Sequence, residues 1–109
     1  YSMEWSAFSI DTMLQIQGPS DLVQAYPNPF NKETVVFWNQ DTDQEISLGI
    51  HDMLGREVKS LVNGMMSAGQ HFAIWDATSR GSTPVSSGVY ILWARFRNSQ
   101  HSVKLVVAR

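Results

Sequence analysis

Ile46-Ser47-Leu48-Gly49-Ile50-His51 alternates apolar with small or polar residues, and Asp52-Met53-Leu54-Gly55 then interrupts the run. A period of two puts Ile46, Leu48 and Ile50 on one face of a strand and Ser47, Gly49 and His51 on the other. The interruption has turn chemistry. The Asp52 carboxylate can accept a backbone N–H two residues on, and Gly55 can take the positive φ that closes a tight hairpin. A strand ended by such a turn, with no 3.6-residue period nearby, commits the reading to β-structure.

The same alternation recurs toward both ends. Phe8, Ile10, Thr12, Leu14 and Ile16 alternate with Ser9, Asp11, Met13, Gln15 and Gln17, and Val103, Leu105 and Val107 with Ser102, Lys104 and Val106. Turn signals punctuate the chain at short spacing: Gly18-Pro19-Ser20, Pro27-Asn28-Pro29, Asn39 to Asp43, Asn63-Gly64, Ala68-Gly69, Ser79 to Ser82 and Arg97 to Gln100. Between them lie strand candidates over about 7–17, 34–39, 45–51, 56–62, 70–76, 88–97 and 101–108. Short strands so spaced indicate an all-β sandwich or barrel. Arg56–Val62 is the best helical candidate and is too short to decide. Gly88 opens a strongly apolar strand, which predicts a bulge or a close backbone approach there. The expected core is Phe30, Val36, Trp38, Leu48, Ile50, Trp75, Tyr90, Leu92 and Leu105.

Composition limits the chemistry. The chain has 109 residues, 43% of them hydrophobic, with four Trp, three Tyr and five Phe. That suffices for one domain with a real core. Charged residues are 17% and the net charge is -2, so a disordered chain is excluded. No basic surplus neutralises phosphates, and nucleic-acid binding is not expected. The absence of cysteine excludes disulfides, thiol nucleophiles and Cys-zinc sites. No apolar run approaches the roughly 20 residues of a membrane-spanning helix. The chain opens on Tyr1 without a signal-peptide pattern, which reads as a piece of something longer.

Candidate sites are few. Asp41-Thr42-Asp43-Gln44-Glu45 spaces carboxylates at alternate positions, but it lacks the glycine and distal bidentate Glu of a calcium loop, so a solvated hairpin tip is expected. His51, His71 and His101 are too dispersed for a metal pair. Ser87-Gly88 lacks the flanks of a nucleophile elbow. No enzyme activity and no cofactor are expected. Trp5, Trp38, Trp75 and Trp93 could stack a sugar, although aromatic residues this few in a small domain are needed in its core.

Ala25-Tyr26-Pro27-Asn28-Pro29-Phe30-Asn31, followed by Thr34, resembles the opening of the C-terminal sorting domains of the bacterial type IX secretion system (type A, the Por secretion type). Later blocks keep step: Ile46 to Val58 with Asp52 and Gly55; Gly64, Ala68-Gly69-Gln70-His71 and Trp75-Asp76; Val85 to Ile91 with Gly88 and Tyr90; and Lys104-Leu105-Val106-Val107-Ala108-Arg109. His51, Lys32 and Ala77 depart from the family's usual Tyr or Phe, Pro and Gly. The resemblance covers about 25–109 and implies an Ig-like antiparallel β-sandwich of about seven strands, akin in fold to the flagellar hook-capping domain. Residues 1–24 would then be an extra strand and linker.

The resemblance also implies a function. Such a domain is non-catalytic and directs an N-terminal cargo across the periplasm, through the outer membrane, to the cell surface or medium of a Gram-negative bacterium. Its partners would be the secretion machinery, including an outer-membrane shuttle and a sortase-like peptidase. Recognition is expected on the terminal segment, Lys104, Leu105, Val106, Val107 and Arg109, through a free strand edge and the two charges. Tyr26 to Asn31 are expected to be structural. Pro27 and Pro29 would hold the chain extended, Phe30 would anchor it, and Asn31 would form an Asx-turn. A second reading is an adhesive module that self-associates or donates the strand at 7–17; a third is carbohydrate binding.

Overall fold

The computed structural model describes residues 23–109. Seven strands follow one another: β1 (Val23–Tyr26), β2 (Thr34–Gln40), β3 (Gln44–His51), β4 (Glu57–Met66), β5 (Gly69–Trp75), β6 (Gly88–Arg95) and β7 (Gln100–Val107). They form a three-stranded sheet, β1-β2-β5, and a four-stranded sheet, β4-β3-β6-β7, with every neighbouring pair antiparallel. This is an Ig-like sandwich in which the fourth strand pairs with the third rather than with the fifth strand's sheet. The candidate strand at 7–17 and Trp5 lie outside the described residues.

Alternation decides which side chains enter the core. Ile46, Leu48 and Ile50 of β3, Tyr90, Leu92 and Ala94 of β6, and Leu105 and Val107 of β7 face inward from the four-stranded sheet. Val23, Val36, Trp38 and Trp75 meet them from the other. All nine residues expected in the core are buried. Both buried indoles have partners: Trp38 Nε1 donates to Gln40 Oε1 at 2.9 Å, and Trp75 Nε1 to the Thr78 carbonyl at 2.9 Å. Tyr90, near the start of β6, donates its hydroxyl to the Ser86 carbonyl at 2.7 Å, the tyrosine corner of Ig-like sandwiches. Leu92, two residues on, stands where antibody domains carry a disulfide cysteine.

The turn after β3 forms as its residues dictate. Asp52 Oδ1 accepts from the Leu54 N–H at 2.9 Å and the Arg56 N–H at 3.0 Å, and Gly55 has a φ of 87°. Three expectations need correction. Val23–Tyr26 is a paired strand, its register running from Val23 opposite Trp38 to Tyr26 opposite Val35. A four-residue strand before a proline has too few residues to show alternation. Asp41 to Asp43 are exposed, but they join β2 to β3 across the two sheets, so the segment is a corner and not a hairpin tip. The strand expected over about 56–62 is present as β4, with register shifts opposite β3. Gly88 has a φ of 153° and open space where a Cβ would stand, so backbone conformation, not close approach, places a glycine there.

Candidate functional site

The Pro-rich segment after β1 and the end of β7 make one structure. Tyr26–Pro27 and Asn28–Pro29 are both cis peptides, and the segment bends back instead of running extended. Asn28 thereby reaches the outer edge of β7. Its Nδ2 donates to the Lys104 carbonyl at 2.7 Å, and its Oδ1 accepts from the Val106 N–H at 3.0 Å. A side-chain amide sets an N–H donor beside a carbonyl acceptor as a strand edge does, so Asn28 stands in for one residue of a neighbouring strand. Phe30 continues the mimicry with its own backbone. Its N–H donates to the Val106 carbonyl at 3.0 Å, and its carbonyl accepts from the Ala108 N–H at 2.8 Å, a parallel bridge opposite Val107.

Other contacts hold this loop in place. Thr34, fully buried, donates its hydroxyl to the Pro27 carbonyl at 2.7 Å. The Phe30 ring packs edge-on against Trp75 at 5.7 Å, and Trp75 against Tyr90 at 5.5 Å. The three rings tie the loop to β5 and β6, hence to both sheets. Asn31 makes no side-chain hydrogen bond within the described residues; the polar work falls to Asn28, which bonds across the fold rather than locally. Pro27, Pro29, Phe30, Lys32 and Ala108 border an open, largely apolar hollow of about 700 Å³.

The terminal residues divide into three kinds. Leu105 and Val107 are core residues. Lys104 is exposed and Val106 half-buried on the outward face of the four-stranded sheet, opposite Ile91 and Val89 of β6. Arg109 is a clamp. Its Nε donates to the Val85 carbonyl at 2.9 Å, an Nη to the Ala77 carbonyl at 2.9 Å, and its N–H to Ser87 Oγ at 3.0 Å. The edge expected to be free is therefore covered at Lys104, Val106 and Ala108, and the Arg109 charge is engaged. Sequence reasoning placed Asn28 in a rigid turn and missed its bond to residues 76 and 78 positions away. The signal available was an amide between two prolines that cannot donate in a ladder themselves.

The remaining motif residues shape the frame. Tyr26 ends β1, Gly69 begins β5 with a φ of 123°, and Asp52 and Gly55 form the β3–β4 turn. The Asp52 carboxyl is held below its ordinary range, first by the Arg56 backbone N–H and also by the Arg56 side chain and the Leu54 N–H. Asp76 is lowered too, first by the Thr78 hydroxyl and then by the charge of Lys59, whose Nζ lies 3.5 Å away. Among the described residues no three His, Asp or Glu side chains group where they could hold a metal ion. Trp38 and Trp75 are core, and of the described indoles Trp93 alone is exposed, at 41%.

A protein-family model described as "Secretion system C-terminal sorting domain" matches residues 24–108. A search of curated proteins finds no significant match. Two solved structures from Porphyromonas gingivalis are similar in fold. Dimeric latent PorU aligns at 22% identity with a TM-score of 0.62, covering 79% of this chain and 9% of that one. PorZ, described as an essential bacterial surface component of the type-IX secretion system, aligns at 22% identity with a TM-score of 0.60, covering 80% and 11%. The chain thus spans about a tenth of the length of either.

Proposed function

The chain belongs to the secretion-system C-terminal sorting domain family, and from that premise we propose that it addresses an N-terminal cargo to the type IX machinery. The cargo crosses the periplasm, reaches the outer-membrane shuttle and sortase-like peptidase, and ends at the cell surface or in the medium. The sandwich performs no chemistry in this reading. It displays a surface made jointly by the Pro27–Lys32 loop and the outward side of β7.

One observation carries the reading. Asn28 and Phe30 occupy the outer edge of β7, so the two ends of the matched region form one rigid feature. A receptor that added a strand to β7 would have to displace them. A receptor that reads the assembled surface meets Lys32 and Glu33 at the apolar hollow and Lys104 on β7, all three exposed. Long-range charge attraction then orients the encounter.

The test uses a reporter fused ahead of the chain in a host with a working type IX system. Lys104→Glu with Lys32→Glu should slow the reporter's appearance at the surface at least fivefold while the purified variant melts like the parent. Undiminished export of that folded double variant overturns the composite surface. Truncation after Gln100 is a poorer test, because it removes Leu105 and Val107 from the core and unfolds the sandwich.

A further inference from the structure

The outward face of the four-stranded sheet is built in rows. Register sets Ser60, Gly49, Trp93 and Ser102 side by side across β4, β3, β6 and β7. Glu57, His51, Ile91 and Lys104 form the row on one side, and Asn63, Ser47, Arg95 and Gln100 the row on the other. The middle row thus carries three small residues and one indole between two rows of longer, mostly polar side chains. A hollow of about 470 Å³ results, bordered by Ser47, Gly49, Glu57, Trp93, Arg95 and Gln100. That volume falls in the range of small-molecule sites, about 300–1,000 Å³.

Trp93 is not used to cover the glycine opposite it. An aromatic ring paired with a strand glycine commonly lies over it. Here the three atoms nearest to where a Gly49 Cβ would stand belong to Glu57 and His51, at 3.3, 3.3 and 3.9 Å. The indole stays exposed, and unlike those of Trp38 and Trp75 its Nε1 has no hydrogen-bond partner among the described residues. His51 Nδ1 has none either. Ion pairs among the described residues join Arg56 to Asp52, Lys59 to Asp76 and Arg80 to Glu57. Arg95, two residues from Trp93 on the same face, is therefore an unengaged cation, whereas the Glu57 carboxylate already has a partner.

Recognition here falls to side chains. β3 and β6 are inner strands of the order β4-β3-β6-β7, so their N–H and C=O groups are engaged on both sides. A peptide that adds itself as a strand finds no edge. What the hollow offers is apolar ring surface, small groups that donate and accept hydrogen bonds, and a planar cation. A pyranose ring matches the first two, with an apolar face of C–H groups and a rim of hydroxyls. A carboxylate on that ring matches the third, because a guanidinium fork pairs with it through two parallel hydrogen bonds.

We propose that this hollow binds an acidic glycan, a uronate residue lying against Trp93 with its carboxylate on Arg95 and its hydroxyls on Ser47, Gln100 and Glu57. None of these residues belongs to the Pro27–Lys32 loop. The domain then carries a glycan contact in addition to its proposed sorting role, and the two stand or fall separately.

The test titrates the full chain by isothermal calorimetry with tetragalacturonate, with neutral cellotetraose and with tetraglutamate. Tetragalacturonate should bind at least tenfold more tightly than either of the others. Trp93→Ala should weaken its binding at least tenfold, and Arg95→Gln should remove the preference for it over cellotetraose. Both positions are exposed, so both variants should melt like the parent. No binding of tetragalacturonate at millimolar concentration overturns the proposal, as does binding unaffected by Trp93→Ala. Equal binding of cellotetraose overturns the assignment to acidic sugars. Equal binding of tetraglutamate reduces the site to an anion contact and overturns the glycan.

Discussion

Arg109 ends the chain with its guanidinium spread over two carbonyls, Val85 and Ala77, which bracket the crossing from β5 to β6. A planar fork suits two acceptors in a way that a single ammonium does not. Arg109→Ala should therefore cost about 1–2 kcal/mol in denaturant unfolding, the scale for losing charged hydrogen bonds at a partly exposed site. Arg109→Lys should recover only part of it. A loss below about 0.3 kcal/mol would reduce the clamp to a surface contact and return Arg109 to the pool of free charges. Ala77 explains part of the need for a clamp. It has a φ of 61° and is fully buried, an L-residue in the left-handed region where glycine is at ease. The Val85 N–H donates to the Ala77 carbonyl at 2.9 Å, so Arg109 and Val85 together fix a backbone position that local preference disfavours.

At the scale of elements, the terminal strand is defined by what caps its edge. Asn28→Ala removes the acceptor for the Val106 N–H and the donor for the Lys104 carbonyl. The amide of Val106 should then exchange with solvent at least tenfold faster, while Asn28→Asp, which keeps the acceptor, should protect it in part. Unchanged exchange at Val106 in Asn28→Ala would show that Phe30 alone holds the edge. The β3–β4 turn responds to pH instead. Its Asp52 carboxyl is lowered from the ordinary value, so the folded state favours the charged form. That stabilisation is fully present above the unfolded value of about 3.9 and is lost as pH falls through the lowered folded value. Parent and Asp52→Asn should differ most in Tm at neutral pH and converge toward about pH 2. A gap that widens on acidification would reverse the sign and exclude the Asp52 hydrogen bonds as its source.

These two elements also show what a sequence displays and what it hides. The Asp52–Gly55 turn was legible because its partners lie within four residues and its geometry follows from a carboxylate and a glycine. The inner faces of β3 and β7 were legible from alternation. The Asn28 bond was hidden, since nothing local distinguishes an amide that turns on itself from one that meets a strand 76 residues later. The strand β1 was hidden by its length, and the sheet crossings at Asp41 to Asp43 and Ser67 to Ala68 by their likeness to hairpin turns. In each case the missing information is the identity of a distant partner, which register and topology supply.

On the scale of the whole molecule, no disulfide holds the sheets together, so cohesion rests on one buried cluster running from Val23 to Val107. Leu48 lies at its middle, fully buried on β3, with β4 and β6 on either side. Leu48→Ala should cost about 2–4 kcal/mol, the transfer of a side chain plus the cavity it leaves. For a domain of this size that lowers Tm by roughly 10–20 °C. The location of the reporters makes the experiment informative about cooperativity. Trp38 and Trp75 are core indoles of the three-stranded sheet, whereas Leu48 belongs to the four-stranded one. Indole fluorescence and far-UV circular dichroism should shift together, because Phe30, Trp75 and Tyr90 stack from one sheet to the other and a cavity in either weakens both. If the dichroism transition moved while the fluorescence transition stayed at the parent temperature, the sheets would be melting separately, and the cluster would be two cores in contact. Coincident transitions would mean that the surface shared by the Pro27–Lys32 loop and β7 stands only while both sheets do. In that case any substitution deep in the core also removes the surface proposed for recognition, at the temperature where the variant melts.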